Sequence, residues 1–200
     1  MKGSLVIVGF FVLGVVAGRL GWLDIGSFGF DISFIALALL MLCVGVGVGS
    51  DMGALKGLRR LDGRLLLLPL VTIAGTLAGC LLVALLMPWR DLGDVLAVGS
   101  GFGYYSLSSI FITQYKGPEL GTVGLLANII RELLTLLGAP LLVRLFGPLS
   151  AISSGGATSM DTTLPIITSV SGKEFVVLSI YHGFVVDFSV PFLVTFFCSL

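Results

Sequence analysis

Five ionisable side chains stand inside long apolar runs of this sequence, and they are the residues most able to do chemistry. Arg131 and Glu132 lie near the middle of the run 122–145. Asp161 lies within 149–170, and His182 and Asp187 within 175–198. A charge at the centre of a membrane helix costs ~2.5–3.5 kcal/mol on insertion scales, so it is paired or it handles an ion or substrate. Arg131 and Glu132 are adjacent, hence about 100° apart on a helix, and cannot share one face. Asn128, four residues before Glu132, shares its face, and Arg131 shares a face with Thr135. Two readings stand for the pair. One is an interhelical ion-pair arrangement that holds a bundle together. The other makes Glu132 a cation or proton carrier, with Arg131 paired to Asp161 or another carboxylate. Asp161 reads as functional because polar, helix-breaking residues surround it. Asp187 reads as structural or as lying near a membrane boundary, and His182 as a hydrogen-bonded structural residue; a proton relay is the alternative for both.

Two runs near these charges make poor continuous helices. Residues 99–109 read Gly-Ser-Gly-Phe-Gly-Tyr-Tyr-Ser-Leu-Ser-Ser, and residues 153–165 read Ser-Ser-Gly-Gly-Ala-Thr-Ser-Met-Asp-Thr-Thr-Leu-Pro. Gly101, Gly103, Gly155 and Gly156 weaken helix locally. Irregular backbone at membrane depth is tolerated only when buried in protein or lining a wet cavity. A pair of interrupted spans is a sequence pointer to a carrier's substrate site, because the exposed half-helix ends can hold ions or charged groups. Ser106, Ser108, Ser109, Thr158, Ser159 and Thr162 would supply polar lining. The alternative is a pair of external loops dipping onto the surface.

These residues need elements to hold them, and the composition says which kind. Hydrophobic residues make up 56% of the 200, charged residues 11%, and the mean hydropathy is +1.13. Soluble domains are about 25% charged. A disordered chain, a nucleic-acid binder and an ordinary soluble enzyme are thereby set aside, and eleven basic residues cancel eleven acidic ones. The expectation is an all-α polytopic bundle forming a single membrane domain over 1–200. A span needs roughly 20 residues, which gives seven segments: about 4–20, 32–49, 65–87, 93–114, 122–145, 149–170 and 175–198. Two of them, 93–114 and 149–170, would be discontinuous near the midplane. Lys2 before the first apolar run imitates a signal peptide, but six further runs favour a retained span.

Basic residues orient the bundle. Lys56, Arg59, Arg60 and Arg64 form the densest basic cluster, which places loop 50–64 in the cytoplasm. If every segment crosses, the N-terminus, Lys116 and Lys173 lie inside. Loops 21–31 and 88–94, Arg144 and the C-terminus then lie outside, with Trp89 as an interface anchor. Cys43, Cys80 and Cys198 are far apart and read as small hydrophobes. One histidine cannot build a zinc site, so no metal is expected. Gly45, Gly47 and Gly49 read as a close-packing stretch.

In order and spacing, several of these stretches resemble the LysO lysine exporter family. They are Ser100–Ser108, the triplet Arg131-Glu132-Leu133, the run Gly156–Asp161 with Leu164-Pro165, and His182-Gly183-Phe184. The resemblance runs over about residues 90–200, and more loosely through the first three segments. It implies a bacterial inner-membrane exporter of L-lysine and its analogue thialysine, in which Glu132 and Asp161 match carboxylates implicated in export. The chain departs from the family pattern in three ways. It lacks the additional N-terminal half of long members, which implies a homodimer or a small membrane partner subunit. Asn128 stands where members carry an acidic residue, and Asp187 is peculiar to this chain.

The expected mechanism is secondary export of a cationic amino acid in exchange for protons, with sodium as the alternative coupling ion and no other cofactor. No G-x-x-x-x-G-K-[ST] stretch is present, so ATP is not the expected driver. Moving one positive charge out of a cell that is negative inside costs ~2.3 kcal/mol per 100 mV, and an inbound proton offsets this. Glu132 and Asp161 would bind the ammonium when ionised and reset the empty carrier when protonated, with Arg131 as countercharge. The other readings are a carrier of another small solute, a membrane-embedded hydrolase using His182 and a serine, and a non-transporting subunit of a complex.

Overall fold

The computed structural model describes residues 63–200 and, before them, only positions 12, 13, 16, 17, 19, 20 and 46. Apart from those positions, the expected segments 4–20 and 32–49 lie outside the described residues. So do loop 21–31, Cys43, Gly45, Gly47, Gly49, Lys56, Arg59 and Arg60. Every regular element among the described residues is helical, as the apolar runs predict. The protein is an all-α membrane protein.

Among the described residues, three helices are long and apolar enough to cross a bilayer. Helix α1 (Leu68–Leu86) follows a 3-10 turn at Gly63–Leu67 and has Pro69 in its first turn, where the missing N–H costs nothing. Its 19 residues extend about 28 Å at ~1.5 Å each, close to a ~30 Å hydrocarbon core. Two other long helices, Pro118–Phe146 and Val176–Cys198, complete the set. Between α1 and the first of them lie two short helices, α2 (Leu92–Gly99) and α3 (Tyr105–Lys116). The long helix Pro118–Phe146 is therefore α4. It leads to α5 (Leu149–Gly155), a 3-10 turn at Gly156–Met160, α6 (Leu164–Ser171), and finally α7 (Val176–Cys198).

The short helices do not continue one another across the bundle. Arg90, just before α2, is 2.7 Å from Glu119 at the start of α4, and Lys116 at the end of α3 is 3.3 Å from Asp94. Both ends of segment 92–116 thus meet at the Leu86 end of α1. At the opposite end, Ser171 on α6 donates a 2.8 Å hydrogen bond to the carbonyl of Pro148, which precedes α5. Each segment is a hairpin that enters the bundle halfway and returns. This corrects the expectation that 93–114 and 149–170 cross. A run of about twenty apolar residues is long enough for one crossing or for two half-crossings, and hydropathy does not distinguish them.

The correction also moves charges. Lys116 shares an end with Arg90, Asp91 and Asp94, so it is not across the bundle from loop 88–94. Arg144, near the end of α4, joins Lys173 and the Gly63 end of α1. Two paired hairpins leave the path of α7 unchanged. Tyr181 donates to the carbonyl of Leu66 at 3.2 Å, and Phe197 and Leu200 lie beside Gly93. Helix α1 with hairpin 1 (α2–α3) and helix α4 with hairpin 2 (α5–α6) thus repeat the same span-and-hairpin order in opposite directions, the inverted arrangement common in secondary transporters.

Two cores sit on α7. Phe102, Ile112 and Ala157 pack against Val186, Val190 and Val194 around hairpin 1. Ile152, Ile166 and Ile167 pack against Leu178 around hairpin 2. The outer faces of the long helices carry exposed apolar side chains. Phe184, Phe188, Phe192 and Phe196 form one stripe at four-residue spacing. Such a surface is a liability in water and is the expected surface against lipid.

Candidate functional site

The tips of the two hairpins meet in the middle of the bundle. At the first tip, helix stops at Ser100 and resumes at Tyr105, with Phe102 (φ 45°) and Gly103 (φ 98°) in left-handed conformations. At the second, Gly156 (φ 62°) ends α5. The Ala157 N–H donates to the Phe102 carbonyl at 2.9 Å. That carbonyl lies where a Cβ on Gly156 would stand, so only glycine fits there.

Asn128 on α4 fixes the first tip. It is buried, accepts from the Gly103 N–H at 2.7 Å, and donates to the Gly124 carbonyl at 2.8 Å. Its amide also approaches the Val98 carbonyl and the Ser108 hydroxyl, each at 3.4 Å. The sequence suggests Asn128 as a substrate ligand; the structure gives its amide backbone partners. Gly101 is where the Asn128 amide rests, and a side chain there would collide with it.

Arg131 fixes the second tip. Its guanidinium donates to the carbonyls of Ser154 and Ser153, each at 3.0 Å, and to the Thr76 hydroxyl at 3.3 Å. Those carbonyls belong to the last turn of α5, where helix carbonyls lack partners and the dipole favours a cation. The Phe102 ring of the opposite tip lies 5.9 Å from the guanidinium carbon. The pairing of Arg131 with Asp161 that the sequence suggests is absent. Among the described residues, no carboxylate is within ion-pair distance of Arg131.

Glu132, one residue on, faces the other way. The Thr162 side chain lies beside it, and Asp161 lies within electrostatic reach. Asp161 Oδ1 itself accepts from the Thr162 N–H at 2.5 Å and is 3.3 Å from the Thr162 hydroxyl. Asp187 on α7 lies within reach of Asp161. Tyr104 from the first tip lies within electrostatic reach of Asp187 and Asp161, and Tyr105 within reach of Glu132 and Asp161. Three half-buried carboxylates from α4, hairpin 2 and α7 thus gather beside two tyrosines. Among the described residues, no basic side chain pairs with them, so their mutual repulsion favours a bound cation.

The predicted hydroxyls divide. Ser106 is exposed, whereas Ser108 is turned to the Tyr104 carbonyl at 2.8 Å. Thr158 donates to the Gly155 carbonyl at 2.9 Å, and of these hydroxyls Thr162 alone touches a carboxylate, that of Asp161. Ser159 joins a separate network. His182, fully buried, has its Nδ1 2.9 Å from the Ser159 hydroxyl and its Nε2 2.9 Å from the Thr72 hydroxyl. Thr72 donates onward to Ser153 at 3.0 Å. His182 thereby ties α7 to the second tip and to α1. Gly183, beside it, lets Met160 and the Ala157 carbonyl approach.

Sequence reasoning missed Thr72, Thr76, Ser153, Ser154, Tyr104 and Tyr105 as members of these networks. Thr72 and Thr76 carried a readable signal: two hydroxyls four residues apart on an otherwise apolar helix.

The family described as "Lysine exporter LysO" matches residues 8–198. A protein of Escherichia coli K12 named "Lysine exporter LysO" is 34% identical over 196 residues, covering 98% of this chain and 64% of its own length. A "Putative lysine exporter" of Haemophilus influenzae is 32% identical over 191 residues, covering 94% of each. The chain therefore spans just under two thirds of the E. coli relative. No solved structure matches it.

Proposed function

The chain belongs to the lysine exporter LysO family, and from that premise we propose that it exports a cationic amino acid, L-lysine and analogues such as thialysine, in exchange for protons. The family is one of transporters, which sets aside the hydrolase reading. The proposal places the chain in the bacterial inner membrane, as a homodimer or with a small membrane partner.

One observation carries the reading: Glu132 and Asp161 lie within electrostatic reach of each other beside Thr162 at the tip of hairpin 2, without a basic partner among the described residues. An ammonium group is the ligand such a pair selects, since it brings the missing positive charge and three donors. Thr162 holds the Asp161 carboxylate. Tyr104 and Tyr105 lie within electrostatic reach of the carboxylates. Arg131, tied to the Ser153 and Ser154 carbonyls of α5, stays out of the site.

The electrical cost of moving a cation out against a negative interior sets the direction of coupling. A proton taken up by Glu132 or Asp161 as the ammonium leaves would discharge the site for its return. Asp187 and His182 are the candidate groups for passing that proton on.

The test is lysine efflux from proteoliposomes holding the purified chain. An inward proton gradient should drive efflux in the wild type and not in Asp161→Asn. Coupled efflux persisting in that variant would overturn the mechanism. Efflux driven by a sodium gradient in place of a proton gradient would reassign the coupling ion.

A further inference from the structure

A second feature lies apart from the carboxylates, at the Leu86 end of the bundle. A cavity of about 320 Å³ opens between α1, α2 and α4. Its walls include Val83, Val98 and Val123, and its lining is almost wholly apolar, with Trp89, Arg90 and Asp94 also bordering it. Val83 and Val123 are themselves exposed on the outer face. An apolar cavity does not hold ordered water, and this volume sits at the small end of ligand pockets. In a membrane protein, what reaches such an opening is an acyl chain.

The surrounding charges say which lipid. Trp89, 73% exposed, stands just past the end of α1, where aromatic residues mark the headgroup level. Arg90 and Lys116 are interleaved with Asp91, Asp94 and Glu119 at this end. Asp91 and Glu119 are mostly exposed there. A headgroup with only negative charge would meet two exposed carboxylates. A headgroup with a phosphate and a primary ammonium meets both signs. Its phosphate takes the guanidinium N–H groups of Arg90 that Glu119 leaves over, and its ammonium takes Glu119 or Asp91.

We propose that this cavity binds one acyl chain of a phosphatidylethanolamine-type lipid, seated against the first arm of hairpin 1 with its headgroup on Arg90 and Glu119. The assignment is independent of what the chain transports. The lipid packs against Val95 and Val98 of α2, so it props the arm that carries the first tip.

Native mass spectrometry of the full chain, exchanged into detergent with phosphatidylethanolamine or phosphatidylglycerol, tests this. The wild type should retain phosphatidylethanolamine in preference to phosphatidylglycerol. Val123→Trp, at an exposed position, should fill the cavity and lose the lipid. Arg90→Gln should also lose it, and Glu119→Gln should shift the preference toward phosphatidylglycerol. Circular dichroism confirms that each variant remains folded. A wild type that retains no phospholipid overturns the proposal, as does equal retention by Val123→Trp. Preference for phosphatidylglycerol in the wild type overturns the headgroup assignment.

Discussion

The backbone N–H of Ala157 donates to the carbonyl of Phe102 at 2.9 Å, so two hairpins from opposite ends of the bundle are joined tip to tip. The join depends on Gly156, whose φ of 62° and whose contact with the Phe102 carbonyl leave no room for a Cβ. Gly156→Ala incurs about 1–2 kcal/mol of left-handed strain before any clash is counted. We expect it to lower the thermal unfolding midpoint in detergent and to reduce transport. Gly138→Ala, in open space inside α4, should be neutral or stabilising by roughly 0.5–1 kcal/mol. Equal behaviour of the two variants would show that the tips are not in register.

The helix breaks were legible because their cause is local. Alternating glycines at 99–103 and the Gly155-Gly156 pair weaken helix wherever they occur, and the structure leaves regular helix at both. Glu132 and Asp161 were legible because burial makes charge costly. The return of each hairpin was not legible, since it depends on partners distant in sequence, such as Arg90 with Glu119 and Ser171 with Pro148. For the same reason the sequence suggests a carboxylate partner for Arg131, where the structure supplies carbonyls. The sequence shows a buried cation that needs acceptors but does not show that carbonyls supply them.

The hairpin topology makes a direct prediction for labelling. In a variant without native cysteines, single cysteines at Arg90 and Lys116 should react with an impermeant maleimide from the same side of the membrane. A cysteine at Lys173 should react only from the other side. Losing the exposed Arg90–Glu119 ion pair costs about 0–1 kcal/mol; the Lys116–Asp94 pair is more buried, so circular dichroism of Lys116→Cys checks that it folds. Labelling of Arg90→Cys and Lys116→Cys from opposite sides would restore the crossing reading of 93–114.

Arg131 should not tolerate lysine. Its guanidinium spans the carbonyls of Ser153 and Ser154 and reaches Thr76, a fork that one ammonium cannot reproduce. Hydrogen bonds to a charged group contribute about 1.5–3 kcal/mol. Arg131→Lys should therefore lower the unfolding midpoint clearly, and Arg131→Gln further. Full stability and transport in Arg131→Lys would mean that charge alone matters there.

Glu132 and Asp161 should behave as one unit. They lie within electrostatic reach of each other, and a single ammonium between them would be held by the pair. Groups that act on the same bound charge give non-additive losses. Glu132→Gln and Asp161→Asn should each abolish most lysine efflux, and the double variant should be scarcely worse than the poorer single one. Thr162→Val removes the hydroxyl beside Asp161 but neither charge, so it should weaken apparent lysine affinity more than maximal rate. Asp187→Asn leaves Glu132 and Asp161 intact and should retain lysine binding while changing the pH dependence of efflux. Strictly additive losses for Glu132 and Asp161 would separate the two carboxylates into independent sites. A loss of binding in Asp187→Asn would instead place all three carboxylates on the substrate.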